Sequence, residues 1–281
     1  MILEGRVAVV TGGAGGIGAA LGRAFAAEGA AGIAIADIDG DNAERVAREI
    51  ASDTTAAFAM RVDVAHEPDV KDLVARTVDE LGPIDLFCAN AGIIVIGGAE
   101  VPDDQWDRII DINLKSHIYA ARAVIPGFRE RGEGYLLHTA SAAGLLTQLG
   151  SAPYSVTKHA VVALAEWLSI THGDAGVTVS CLCPQAVATN FGTGGVRRRP
   201  ANVEPGKGTA GSDGVLEASQ VADSVVAGLR TEEFLILPHP EVATYEERRA
   251  TDRERWLRGM RRAQAAMVKA WQAAGATPPS S

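Results

Sequence analysis

The chain has 281 residues, 47% of them hydrophobic and 22% charged, which is enough apolar content for a full core and fits one large α/β domain better than two small ones. A net charge of -9 and a pI near 5.2 argue against general nucleic-acid binding, whose affinity comes chiefly from clustered Lys and Arg. No basic-then-apolar leader opens the chain and no stretch reaches the roughly eighteen apolar residues of a membrane span, so a soluble cytoplasmic protein is expected.

The first β-branched run covers 6–11, followed by a glycine-rich loop at 12–18 and a helix-forming stretch over 19–28. A second apolar run, 32–36, ends at Asp37, and a helix from about 41 to 50 leads to a third strand ending near Asp63 and Val64. Further strands near 84–89, 134–140 and 177–183 alternate with helices around 70–81, 105–128 and 154–171. Strands apolar on both faces, separated by helices, predict a doubly wound parallel sheet covered on both sides. Cys181 and Cys183 fall on one face of the sixth strand, and with no Cys-x-x-Cys pair or His cluster they read as reduced structural thiols, with no metal site.

Residues 191–214 contain seven glycines and the triplet Arg197-Arg198-Arg199, a connection long enough to be functional or disordered. The arginines either grip an anionic substrate or are solvated. A helix over 219–229 capped by Ser219 and a last strand at 234–237, stopped by Pro238 and Pro240, follow. The remainder, 241–281, reads as a helical extension of the same domain, with eight Lys and Arg against five Asp and Glu across 241–271 and a frayed Pro278-Pro279-Ser280-Ser281 end. Its Trp256 and Trp271 look exposed, which suggests packing on a neighbouring subunit or over a substrate cleft.

Glycines after a strand let the backbone approach a pyrophosphate at the positive end of the next helix. Both Gly13-x-Gly15-x-x-Gly18 and Gly12-x-x-x-Gly16-x-Gly18 are present, so the glycine count does not decide which spacing does the positioning. Asp37, nineteen residues beyond Gly18, can accept from both ribose hydroxyls and would repel a 2′-phosphate. No Lys or Arg stands in the loop or directly after Asp37, so NAD is favoured over NADP.

Tyr154 and Lys158 are four apart in a helix, so a phenol and an ammonium share one face. A cation near 4 Å would favour the phenolate by several kcal/mol at an effective dielectric of about 20, which makes proton transfer near neutral pH feasible. Ser141 follows an apolar run that would deliver its hydroxyl to the C-terminal edge of the sheet, where open parallel sheets bind ligands.

The ordered set Thr11-Gly12-x-x-x-Gly16-x-Gly18, Asp63-Val64, Asn90-Ala91-Gly92, Asn113, Ser141, Tyr154-x-x-x-Lys158 and Pro184 through Thr189 resembles the single-domain branch of the short-chain dehydrogenase/reductase family, over roughly 5–238. The resemblance implies a seven-stranded Rossmann sheet of order 3-2-1-4-5-6-7 over residues 1–240, in a homodimer or homotetramer. It also implies roles for individual residues. Tyr154 would be the acid/base, Lys158 would lower its pKa and hold the nicotinamide ribose, Ser141 would orient the reacting oxygen, and Asn113 would support a water and lysine relay. Gly12, Gly16, Ile17, Gly18, Asp37, Ile38, Asp63, Val64, Asn90, Ala91, Gly92, Val187 and Thr189 would surround NAD.

Two positions depart from the family pattern. Ala89 replaces a frequent asparagine, a change expected to be tolerated, and Gln185 replaces a frequent glycine, where its side chain either bonds a substrate group or packs outward. Ala142, Leu145, Leu146, Leu149, Ala186 and Phe191 make the expected substrate region mostly apolar, which favours a hydrophobic secondary alcohol or ketone; the same leucines could equally be packing residues. The expected function is therefore hydride transfer between NAD and such a small molecule. The competing readings are an NAD-binding sensor or scaffold without turnover and a non-redox lyase or epimerase.

Overall fold

A computed structural model describes residues 1–189 and 213–275; Phe191, the arginines at 197–199 and nearly all of the expected loop at 191–214 lie outside the described residues. The apolar runs become β1 (Val7–Thr11), β2 (Gly32–Asp37), β3 (Ala56–Arg61), β4 (Leu86–Ala89), β5 (Gly134–Thr139) and β6 (Val177–Leu182). β1, β4 and β5 are buried along their whole length, as expected of strands covered on both faces. The helices between them are α1 (Gly16–Ala27), α2 (Gly40–Ile50), α3 (Glu67–Leu81), α4 (Asp103–Ile110), α5 (Ser116–Arg131), α6 (Ala143–Leu146) and α7 (Ala152–His172). Two short strands, β7 (Val187–Ala188) and β8 (Leu216–Glu217), precede α8 (Ala218–Thr231), β9 (Leu235–Ile236), α9 (Glu241–Thr251) and α10 (Arg253–Ala273).

Among the described residues, seven strands form one parallel sheet in the order β3-β2-β1-β4-β5-β6-β9. The fold is the doubly wound Rossmann-type sheet expected from the sequence. Its order reverses between β1 and β4, so a ligand cleft belongs outside their C-terminal ends. One core lies on the side of α3, α5 and α7 and includes Val9, Phe87, Leu136 and Val179; the other, under α1, α2 and α8, includes Val10, Ile35, Leu137 and Val225.

Several local expectations differ from the structure. β3 ends at Arg61, which leaves Asp63 and Val64 in the following turn, where an Asp63 carboxylate oxygen accepts the Ala65 N–H at 3.0 Å. The helix expected over 105–128 is interrupted by a π turn, Asp111–Lys115. The cap of α8 is Glu217 rather than Ser219: extended at φ -73° and ψ 151°, Glu217 forms a reciprocal box in which its N–H reaches Gln220 Oε1 at 2.9 Å. β7 and β8 pair with each other outside the main sheet, across a separation that local pattern does not reveal.

The helical extension packs onto the body of the protein. Val242 is fully buried, Tyr245 and Trp256 lie against the core beside α7, and Trp271, expected to be exposed, is buried. α9 also contacts α6, directly after Ser141 in the chain.

Candidate active site

The glycine loop is shaped by close backbone approaches. A Cβ on Gly18 would lie 2.1 Å from the Gly12 carbonyl oxygen, and one on Gly12 would lie 2.9 Å from Ala91 Cα, so both positions must lack side chains. Gly16 has φ +51°, and Gly15 before it faces open space with no side chain capping α1. Such an end leaves N–H groups and the positive helix terminus for an anion. Asp37 ties this loop to β2, as one carboxylate oxygen accepts the Ala14 N–H and the other the Asp39 N–H, both at 3.0 Å.

Ile38, next to Asp37, is 54% exposed, and Ile17 is partly exposed. Arg61, which sequence order gives no reason to associate with this corner, pairs in register with Asp37 and donates its Nε to the Ile38 carbonyl at 3.2 Å. A cation therefore stands where the sequence showed none.

At the end of β4, Thr11 Oγ1 accepts from the N–H groups of Asn90 at 3.0 Å and Ala91 at 3.3 Å. Asn90 Nδ2 donates to the Thr11 carbonyl at 3.0 Å and Asn90 Oδ1 accepts from the Thr139 hydroxyl at 3.1 Å. These bonds hold the floor at 90–92 to β1 and β5. The Thr189 side chain lies over Gly16, with its Cγ2 3.1 Å from where a Gly16 Cβ would stand, so the segment following β6 meets the loop following β1. Val187, in β7, is partly exposed beside it.

A cavity of about 760 Å³ opens between α1 and α8 and is lined in part by Gly16, Arg23, Thr189, Glu217 and Asp223. Its lining includes neither Ser141 nor Tyr154, so it belongs to the glycine-loop end and not to the tyrosine end.

Tyr154 and Lys158 share the inward face of α7. This helix starts at Ser151, whose hydroxyl donates to the Val95 carbonyl and accepts the Tyr154 N–H at 3.4 Å. Lys158 is buried and donates its Nζ to the Thr139 carbonyl at 2.8 Å, while the nitrogen stands 5.8 Å from the centre of the Tyr154 ring. Ser141 is buried; its hydroxyl donates to the Pro184 carbonyl at 3.3 Å and accepts the Ala143 N–H at 3.1 Å. The Ser141 hydroxyl stands close enough to the Tyr154 phenol to favour its ionised form.

The electrostatics differ from expectation. Burial raises the Tyr154 phenol to about 12, against a smaller downward pull from the neighbouring Ser141 hydroxyl. Burial also lowers Lys158 to about 8. The ring of Tyr154 is partly exposed, but its hydroxyl sits deep enough for desolvation to prevail. The lysine does not lower the phenol here because burial brings its own pKa to about 8, so it has lost its charge before a phenol at about 12 ionises.

Asn113, in the π turn, is fully buried and its side chain is occupied: Oδ1 accepts the Ile93 N–H at 2.8 Å, and Nδ2 donates to the Ile93 carbonyl at 2.9 Å and to Thr157 Oγ1 at 3.3 Å. Both amide hydrogens hold protein groups, so the side chain braces 93 against α7. π turns of this kind are frequent at functional sites. Behind Lys158 lies a pair that the sequence did not single out, His117 and His138, with Nδ1 atoms 2.9 Å apart, both rings fully buried and neither Nε2 partnered. Burial lowers both pKa values, His138 to about 4.

Of the expected substrate residues, Ala142, Leu145 and Leu146 are buried in the core, whereas Leu149, Gln185 and Ala186 are partly exposed. Packing accounts for the first three. No group of three or more His, Cys, Asp or Glu suited to a metal occurs among the described residues, and no described helix is long and apolar enough to cross a membrane.

Residues 6–198 match the family described as short chain dehydrogenase. The chain belongs to that family. It is 35% identical to 3beta-hydroxysteroid dehydrogenase 2 of Eggerthella lenta over 76% of this chain and 82% of the relative. It is 37% identical to 1-deoxy-11-beta-hydroxypentalenate dehydrogenase of Streptomyces exfoliatus over 86% of each. A solved short-chain dehydrogenase/reductase from Burkholderia phymatum in complex with NAD superposes with a TM-score of 0.80 at 26% identity, covering 90% of this chain and 96% of that one. Membership makes the chain an oxidoreductase of the short-chain class.

Proposed function

We propose that this protein transfers hydride between NAD and a hydrophobic secondary alcohol or ketone, with Tyr154 as the acid/base. The observation that carries the reading is that Ser141, Tyr154 and buried Lys158 come together at the sheet edge, Lys158 one helical turn from Tyr154 with its nitrogen 5.8 Å from the tyrosine ring centre. Two neighbouring hydroxyls can converge on one substrate oxygen.

The glycine cradle fits a dinucleotide. The open Gly15 surface and uncapped α1 would receive the pyrophosphate, Asp37 the ribose hydroxyls, and Thr189 the segment beyond. NAD supplies the hydride acceptor when bound, and its reduced form the donor. The relatives named for hydroxysteroid and hydroxypentalenate dehydrogenation, together with the NAD complex of the structural neighbour, support both the cofactor and the apolar alcohol class.

With its phenol protonated, Tyr154 is set to donate to a carbonyl oxygen in reduction, while Ser141 orients that oxygen. In oxidation, Tyr154 must first lose its proton, which requires Lys158 to be charged while the phenol ionises, against the burial that raises the one and lowers the other. Lys158 near a pKa of about 8 can exchange a proton close to neutrality. A second copy of the chain completes the proposal: Trp167 and Ile170 on α7 are 57% and 84% exposed and offer an apolar face for a homodimer or homotetramer. Assay of secondary alcohols with NAD and NADP, read by cofactor fluorescence, tests the reading; no turnover across hydrophobic alcohols and ketones would overturn it.

A further inference from the structure

The C-terminal extension reaches the active-site wall through side chains far apart in sequence. Tyr245 of α9 donates its hydroxyl to one oxygen of Asp213 at 2.8 Å, and Gln185 donates its Nε2 to the other at 2.8 Å. The Gln185 backbone N–H is given to Nδ1 of His239, a residue only 2% exposed and two positions ahead of α9. Gln185 directly follows Pro184, whose carbonyl oxygen accepts both the Ser141 hydroxyl and the Ala142 N–H.

A carboxylate can only accept hydrogen bonds, so Asp213 dictates which end of the Gln185 amide faces it. The amide oxygen is thereby turned away; it is buried and has no donor. Left to itself, such an amide would rotate or swing outward to find a partner. Asp213 opposes that while its own carboxylate is held in place, and Tyr245 of α9 supplies one of its holds.

We propose that Tyr245 is a positioning residue for the reaction proposed above: acting through Asp213, it fixes Gln185 and with it the Pro184 carbonyl that holds the Ser141 hydroxyl. The inference rests on that reaction for its kinetic consequence but not for its structural one. It also gives α9 a role in the site, which motif spacing did not assign.

A double-mutant cycle tests it, since Tyr245→Phe keeps the packed ring and removes only the donor. In Tyr245→Phe, KM for a hydrophobic secondary alcohol should rise about tenfold with a smaller fall in kcat, and amide hydrogen exchange across 183–187 should accelerate. Gln185→Leu should change the same two readouts, and adding Tyr245→Phe to it should change neither further. Wild-type KM and exchange in Tyr245→Phe, or effects that multiply in the double variant, would overturn the proposal. If the wild-type protein oxidises no alcohol, the proposed function fails, while the exchange arm alone still supports or overturns the Tyr245–Gln185 coupling.

Discussion

The two halves of the cleft are assembled by different means. The glycine-loop half is built from backbone: Gly13 N–H to the Ala36 carbonyl at 3.1 Å, Ala14 N–H to Asp37, and a Gly18 that touches Gly12. The tyrosine half is built from side chains that reach partners across the fold, as Lys158 meets Thr139, Asn113 meets Ile93, and Gln185 meets Asp213. Backbone construction tolerates change outside a few glycines. Side-chain construction spreads the effect of one substitution to its partners.

Three substitutions probe how far the tyrosine half depends on its partners. Tyr154→Phe has the largest expected effect, a loss of about 10²–10⁴-fold in turnover with cofactor binding retained, because the glycine-loop half is untouched. Absorbance of the reduced cofactor measures the first and fluorescence titration the second; retained turnover would detach the tyrosine from the chemistry.

Lys158→Met separates stability from activity. Because burial lowers the Lys158 pKa to about 8 from 10.5, the folded protein carries the cost of a buried charge below pH 8. Between about pH 8 and 10 the unfolded chain binds more protons than the folded one at this site, so wild-type stability should rise with pH there. The variant should be more stable than wild type at pH 7, by about 3 kcal/mol at most, and so melt at a higher temperature, with the gap closing above pH 8, and turnover should fall. Thermal melts across that range decide it; a constant gap would refute the buried-charge account.

The smallest effect concerns the histidine pair. His117→Leu strands one more buried ring nitrogen and should cost about 1–3 kcal/mol, whereas replacing both His117 and His138 with leucine should cost less than the sum of the single changes. Denaturant unfolding of the three variants provides the comparison, and strict additivity would show that the Nδ1 contact carries no energy.

The glycine-loop half was also the more legible one in the sequence. Apolar strands alternating with helices and a glycine run before a helix are local signals, and they led to the doubly wound parallel sheet, whose strand order followed from the family resemblance. Tyr154, Ser141 and Lys158 were legible as a group because helix periodicity and a strand edge place them together. What was hidden depends on long separations or on solvation. β7 pairs with β8 across the undescribed segment, Arg61 reaches Ile38 from a neighbouring strand, and Glu217 displaces Ser219 as a cap because it extends directly from β8. The upward shift of Tyr154 was missed because residue spacing reports proximity to Lys158 but not the depth at which both groups are buried.

Asp37 carries a consequence for any attempt to exchange one dinucleotide for another. Its carboxylate latches the turn at Ala14, and in the proposed function it also receives the ribose, so selectivity and architecture would be soldered into one side chain. Replacing it with a small neutral residue to admit an extra phosphate would also unfasten the turn that must receive the phosphates already there. A successful redesign has to keep an acceptor at residue 37 and recruit the nearby guanidinium of Arg61 for the new charge.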